Sequence, residues 1–578
     1  MPTTHRFETE VHEVDLCVVG GGMAGLIAAV SAARHGAQVL LMQDRPVLGG
    51  NASSEIRMWI CGARGPDAKE TGLLEEIMLA NYYRNRTLKY ALWDTVLYEK
   101  ARYTDGIRLL LNCACQEVTT EGEHIIAIKG YQTTTQHFHE VRAKYFADCS
   151  GDSVLRIAGA EFRWGREAES EFNESHAPKS PDSHTMGNSI LLQTREVGGE
   201  HRPFIPPQWA LKFKEGDLPN RHLTPTGENF WWLELGGLQN TIADAEILRD
   251  ELLKVGFGVW DLIKNHPDGR AKDWELEWIG ALPGKRENIR YVGDHMLNQN
   301  EILAGGKFED TVAYGGWTMD DHHPAGLYYS GRATVFHHTP SPYGIPYRSL
   351  YSRNIGNLFF AGRNISCTHM AMSSTRVMAT CSLVGQAAGT AAALAVRHSC
   401  SPREVYSHHL HELQEHLMDD DCFLPGFTRA IPELSRQAEL SASLGDPGEL
   451  RSGIDRVYAK VDHGWWGQPG ESVTYTFDRP RQLSRARLVF DSDLSDKKRM
   501  PCWYPQTGNA VRMPGMLARE YAIEVRNSLG EWERVFRAEE NCQRLVKIPL
   551  ALETAAVRFV PLASWGAERV HLMAFDVR

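Results

Sequence analysis

Histidine is the side chain that changes charge nearest neutral pH. In this 578-residue chain it gathers in one region, with His295, His322, His323, His337, His338 and His369. His322 stands in the glycine-flanked run "GGWTMDDHHP", two residues after Asp320, which could orient the imidazole. A neutral histidine so placed could take the proton of a substrate hydroxyl; a structural hydrogen bond is the competing reading. The histidine pairs lack an ordered ligand spacing, and the 11 cysteines show no CxxC or Cys/His pattern, so no metal is expected. Arg57, Arg286, Arg290 and Arg376 are the cations that could meet an anionic substrate. Arg286 and Arg290 are spaced i, i+4 in "GKRENIR", which fits one face of a helix, either turned to a carboxylate substrate or salt-bridged at the surface. Trp317 and neighbouring aromatics such as Trp231 and Trp278 could stack on a flat or sugar-like group, or pack as core.

The elements that position this chemistry begin near the N-terminus. "VDLCVVGGGMAGLIAAVSAARHGAQVLLMQDR" reads as strand, turn, helix, strand. Gly20, Gly22 and Gly25 have GxGxxG spacing between strand and helix, the arrangement that cradles a pyrophosphate. The helix N-terminus, with Met23 and Ala24, offers free N–H groups and the positive end of the helix dipole. An acidic residue usually ends the second strand and holds a ribose. Gln43 occupies that place here, followed by Asp44 and Arg45. Gln43 is the expected ribose contact, with Asp44 the alternative.

Three further segments carry a resemblance. "RPVLGGNASSE" places Gly49, Gly50, Asn51 and Ser54 just after the second strand. "DCSGD" contains Ser150, Gly151 and Asp152. "NLFFAGRNISCTHMAMSSTRVMATCSLVGQAAGTAAALA" contains Gly362, Arg363, Ser374 and Thr375. In this order they resemble the two-dinucleotide-fold, FAD-dependent oxidoreductases, relatives of the flavin domain of heterodisulfide reductase and of fumarate-reductase-like flavoproteins. The resemblance spans about residues 14–396. It implies non-covalent FAD held by those residues, with backbone near Val118 at the adenine and the loop bearing His369 at the flavin. Arg57, Arg286 and Trp317 are then the substrate candidates, and His322, His369 and Asp320 the catalytic ones.

The fold class expected is α/β: a discontinuous Rossmann-like FAD-binding domain (1–160 and 343–400) with an inserted α+β substrate domain (161–342). A helical or linker segment (401–450) and a β-sandwich (451–578) follow. Alternation in "VTYTF", "YAIEV" and "VRFV" signals the sandwich, whose pattern resembles discoidin or galactose-binding modules. Such modules bind carbohydrate or simply pack on their enzyme, and both readings stand. The function expected is hydride transfer from a small molecule, a CH–OH group of a sugar or glycoside being favoured. Alternatives are reduction of an activated double bond, or a non-redox carbohydrate-binding role with structural FAD. The electron acceptor would be oxygen, a quinone or a carrier protein. A net charge of -11 without a basic run argues against nucleic acid. The polar N-terminus and broken apolar runs lead us to expect a cytoplasmic protein without signal peptide or membrane span.

Overall fold

In the computed structural model, residues 6–496, 500 and 510–578 are described; the first five residues of the polar N-terminus and Cys502 lie outside them. The described residues cluster into two compact units. One holds 6–63 and Lys89–Leu410; the other holds Arg64–Leu88, 411–496 and Ala510–Arg578. Residues 64–88, which the sequence places in the nucleotide-binding domain, thus cluster with the second unit.

The first unit is built on a parallel sheet. β1 (Thr9–Val19) leads into helix α1 (Met23–Arg34) and β2 (Val39–Met42), and β3 (Ile107–Leu110) pairs beyond β2. β4 (Cys113–Glu121), β5 (His124–Gln132) and β6 (His137–Asp148) follow as an antiparallel meander. β6 runs parallel to β1 along its length, and its last residues also pair with the strand Leu358–Phe360. The end of β1 and all of β2 are buried, as an apolar strand covered on both faces should be.

The helix Met378–His398 lies against α1. Gly385 and Gly389 permit this: a Cβ at either would stand 2.2 Å from the carbonyl oxygen of Ala24 or Ala28. Among the described residues this is the one helix long and apolar enough to cross a membrane, and it is buried in the protein.

Between β6 and Leu358–Phe360 the chain forms short two- and three-stranded ladders and one long helix, Ala245–Lys264. Phe230, Trp232 and Trp260 are buried in its core. "GKRENIR" is not helical as its arginine spacing suggested. Gly284–Lys285 and Ile289–Tyr291 are strands, the second paired with Phe162–Trp164. Long-range pairing has overridden a local spacing.

The second unit carries a seven-stranded antiparallel sheet folded as a β-sandwich. Its longest strands, Val473–Phe490 and Leu545–Ser564, break register between Thr476 and Arg481, which lets them bend across both layers. Tyr475, Phe490, Tyr521, Phe559 and Phe575 fill the core. The expected linker is largely structured: Glu439–Ala442 pairs with the strand Val473–Phe490.

Candidate active site

The glycine turn is a cradle in which each glycine has its own reason. At Gly20 φ is 100°, and a Cβ would stand 2.5 Å from the Ser150 backbone. A Cβ on Gly25 would stand 1.8 Å from the Gly20 carbonyl oxygen. Gly22 differs, because a Cβ there meets nothing within 4 Å. It borders open space at the start of α1, whose first turn has no side-chain cap. Gly49 reaches the same place. Its N–H donates to the Gly21 carbonyl at 2.8 Å, and Gly22 and Gly49 form a parallel bridge. Gly49 and Gly50 both have positive φ. Asn51 and Ser54 are held nearby, Asn51 donating to the Lys285 carbonyl and the Ser54 N–H donating to Asp94.

The other segments converge through buried acids. Asp148, fully buried, accepts hydrogen bonds from the Ser150 N–H and hydroxyl, the Leu155 N–H and the Tyr291 hydroxyl. Asp152 accepts from Asn288 and Arg363 at 2.6 Å and pairs with Lys285. Burial pushes the Asp152 carboxyl up, but Arg363 and Lys285 outweigh it and hold it below the usual range. Gly151 has no room for a Cβ beside Arg363, and Gly362 (φ 115°) sits against Ala24. The Nε of Arg363 is buried without a hydrogen-bond partner.

An open cradle at an uncapped helix N-terminus, lined by glycines and a half-buried guanidinium, fits the pyrophosphate of FAD. Gly20, Gly22, Met23, Ala24, Gly25, Gly49, Gly50, Gly362 and Arg363 are the residues that would hold it. The other expected contacts lie as follows. The Gln43 side chain is turned into the protein: its oxygen accepts from the Gly21 N–H at 2.6 Å and its amide donates to the Val47 carbonyl. Asp44 next to it is exposed, and Arg45 is half-buried near Glu55. Val118 is paired with Ile128 inside the meander, and the chain reaches Gln43 through the Cys113 N–H instead. The Ser374 hydroxyl donates to the Trp317 carbonyl and lies 2.5 Å from the Tyr343 hydroxyl, while Thr375 is buried.

The strand Met319–His322 alternates its faces, and this sorts the charged groups. Asp320 and His322 share one face. His322 Nδ1 lies 2.6 Å from Glu234 and its Nε2 3.3 Å from Asp320. Asp321 points the other way, 3.4 Å from Nε2 of His369, whose Nδ1 lies 2.9 Å from Glu287. Each buried imidazole therefore stands between two carboxylates. The N–H groups of Met186 and Gly187, consecutive in the chain, hold the other oxygens of Glu287 and Glu234.

Burial pulls His369 down, but Glu287 and Asp321 outweigh it, and its pKa stands at about 9. His322 is raised in the same way: burial opposes, and Glu234 with Asp320 prevails. Glu234 falls to about 2, burial being overcome by Arg286 and His322. His369 is thus protonated at neutral pH, and the carboxylates around His322 favour its protonated form as well, where the sequence led us to expect a neutral base.

Arg286 and Arg290 are not free for a substrate. Arg286 donates to the Gly187 and Trp231 carbonyls and to Ser189, 3.4 Å from Glu234. Arg290 is buried against Glu167, 3.1 Å away, and the Cys367 carbonyl. Arg57 donates to Gln193 and stacks over the Trp278 ring at 4.3 Å. Trp317 contributes its carbonyl, which also accepts from Thr339. Sequence reasoning missed Glu167, Glu234, Glu287 and Asp321. The sole signal for Glu234 is an acid inside the apolar run "WWLELGG".

A family model described as FAD dependent oxidoreductase matches residues 15–417. No curated protein matches the chain. Among solved structures, the family 32 carbohydrate-binding module from Streptococcus pneumoniae EndoD is 11% identical; the match covers 25% of this chain and 97% of that one at a TM-score of 0.20. The family 32 module from C. perfringens NanJ is 12% identical, with 25% and 95% covered and a TM-score of 0.18.

Proposed function

The chain belongs to the FAD-dependent oxidoreductase family, and from that premise we propose that it reduces an activated, carbonyl-conjugated double bond of a small molecule. Once bound and reduced by an electron donor, the flavin of FAD would supply the hydride. The observation that carries the direction is the pair of buried imidazoles, each held between two carboxylates. A cationic imidazole gives a proton readily at neutral pH and cannot take one. Dehydrogenation of a sugar alcohol, the favoured expectation from sequence, needs a neutral base, which the carboxylates oppose below about pH 9.

His369 is the donor in this reading. Its Nε2–H contact with Asp321 is long enough for a substrate oxygen or carbon to compete for the proton. His322, on the opposite face of the same strand, supplies fixed positive charge beside Asp320 and Glu234. Arg286 keeps Glu234 ionised and Arg290 keeps Glu167 ionised, so the carboxylates hold their geometry when substrate charge changes. The Gln43 amide fixes the glycine loop, which leaves the exposed Asp44 as the ribose contact.

The test is anaerobic. Purified protein should be yellow and release FAD on heating. Dithionite-reduced protein should be reoxidised by 2-cyclohexenone, whereas sugar alcohols should leave oxidised protein coloured. A colourless preparation contradicts the cofactor; bleaching by an alcohol with no response to the enone contradicts the direction.

For the sandwich we propose sugar binding on Trp466, whose ring stacks on His571 at 3.9 Å and whose Nε1–H donates to the exposed Asp462. Titration with galactose should quench tryptophan fluorescence in the wild type and not in Trp466→Ala. An unchanged response in that variant would remove the assignment.

A further inference from the structure

The two imidazoles differ in what lies behind them. Both oxygens of Asp320 are occupied: one accepts from the Thr334 hydroxyl at 2.6 Å, the other meets Arg376 at 3.1 Å and His322 at 3.3 Å. Asp321 is less enclosed. Among the described residues its carboxylate has one hydrogen-bond partner, His369, and its side chain is 23% exposed against 13% for Asp320. The far nitrogen of His369 is closed off by Glu287, which is fully buried. His369 therefore has a single way to water, and Asp321 stands in it.

We propose that Asp321 is the proton port of His369, returning a proton from solvent to Nε2 after each turnover, while His322 keeps its proton throughout. This rests on the reading of His369 as proton donor. The step balances without electrons. The Nε2–H bond breaks as the proton goes to substrate. Solvent then protonates an Asp321 oxygen, and that O–H bond breaks as Nε2–H reforms.

The surroundings favour traffic on this side. Arg166 faces Asp321 and is itself clamped by Asp182 at 2.6 Å. His176, stacked on His337 at 3.8 Å, and His323, stacked on Tyr329 at 3.6 Å, also face Asp321. Glu167 takes the His369 N–H, Glu174 faces the same imidazole, and Arg290 lies between Glu167 and Glu287. Burial pulls both His176 and His323 down, Arg166 adding to it at His323, so they stand near Asp321 as groups able to pass a proton. On the other face, Arg286 faces His322, and Arg376 pairs with Asp320 beside it.

Two measurements on the FAD-loaded protein test this. First, steady-state reduction of 2-cyclohexenone by dithionite-supplied enzyme should slow at least about 10-fold in Asp321→Ala at low buffer, and recover as imidazole buffer is added. Asp320→Ala should show no such recovery. A variant that is not slowed, or is slowed without recovery, overturns the proposal. Second, C2-hydrogen exchange of each histidine, read by mass spectrometry across pH, should show the His369 midpoint falling by at least about one pH unit in the isosteric Asp321→Asn, with the His322 midpoint unmoved. Equal behaviour of the two histidines overturns it. If the wild type never reduces the enone, the proposed function fails, and the exchange measurement alone still decides the role of Asp321.

Discussion

Gly22 and Gly49, from two separate glycine motifs, pair as a parallel bridge at the N-terminus of α1. The Gly22 side that would carry a Cβ faces open space, while that of Gly25 is closed by backbone 1.8 Å away. The two glycines should fail differently. Gly22, at φ −62°, can become alanine without strain, so Gly22→Ala should melt close to the wild type but lose FAD affinity about 10-fold or more, its methyl lying in the pyrophosphate cradle. Gly25→Ala should fail to fold. Thermal melting with FAD titration of the apoprotein checks both. An unaltered FAD affinity in Gly22→Ala would show that the cradle is elsewhere.

Gln43 and Asp44 should separate stability from cofactor binding. Removing the Gln43 amide strands the Gly21 N–H and the Val47 carbonyl, so Gln43→Ala should cost about 1–3 kcal/mol of stability. Asp44→Ala should leave stability alone and weaken FAD retention. Denaturation midpoints and FAD release on gel filtration distinguish the two.

Stability should fall on the alkaline side. The folded pKa of His369, about 9, stands above the ordinary 6.5. Its contribution is therefore complete below pH 6.5 and lost as pH rises through about 9, and amounts to about 3 kcal/mol. Melting temperature against pH should decline over that window, and Glu287→Gln should flatten the decline. A wild-type profile that rises across the window would show that His369 is neutral.

The strand, turn and helix of the cradle were legible because they rest on local signals: an apolar run, glycines at fixed spacing, an alanine-rich helix. Dinucleotide binding followed from them, and FAD from the resemblance of three further segments to the flavoprotein family. The charges around the histidines were not legible. Glu234 and Glu287 lie 88 and 82 residues from the imidazoles that they hold, and no periodicity links residues so far apart. Gly385 and Gly389 could be read as a glycine-rich helix, but the approach to α1 that requires them exists only in three dimensions. Helical spacing misled at Arg286 and Arg290 because i, i+4 in sequence says nothing when the partner strand is distant.

Arg290 tests whether this buried charge is structural. Arg290→Met leaves Glu167 and Glu287 buried without their guanidinium, which should cost about 3–5 kcal/mol. Adding Glu167→Gln should recover part of the loss, as a double-mutant cycle in urea would show. Additive losses would mean that the pair is not coupled.

The most direct measurement is the rate at which an enone reoxidises the dithionite-reduced protein, followed without oxygen from about pH 6 to about pH 10. The account predicts a rate that falls as pH rises through about 9, and a loss of about 10²–10⁴-fold in His369→Asn. A rate that climbs with pH, or one indifferent to His369, would contradict it.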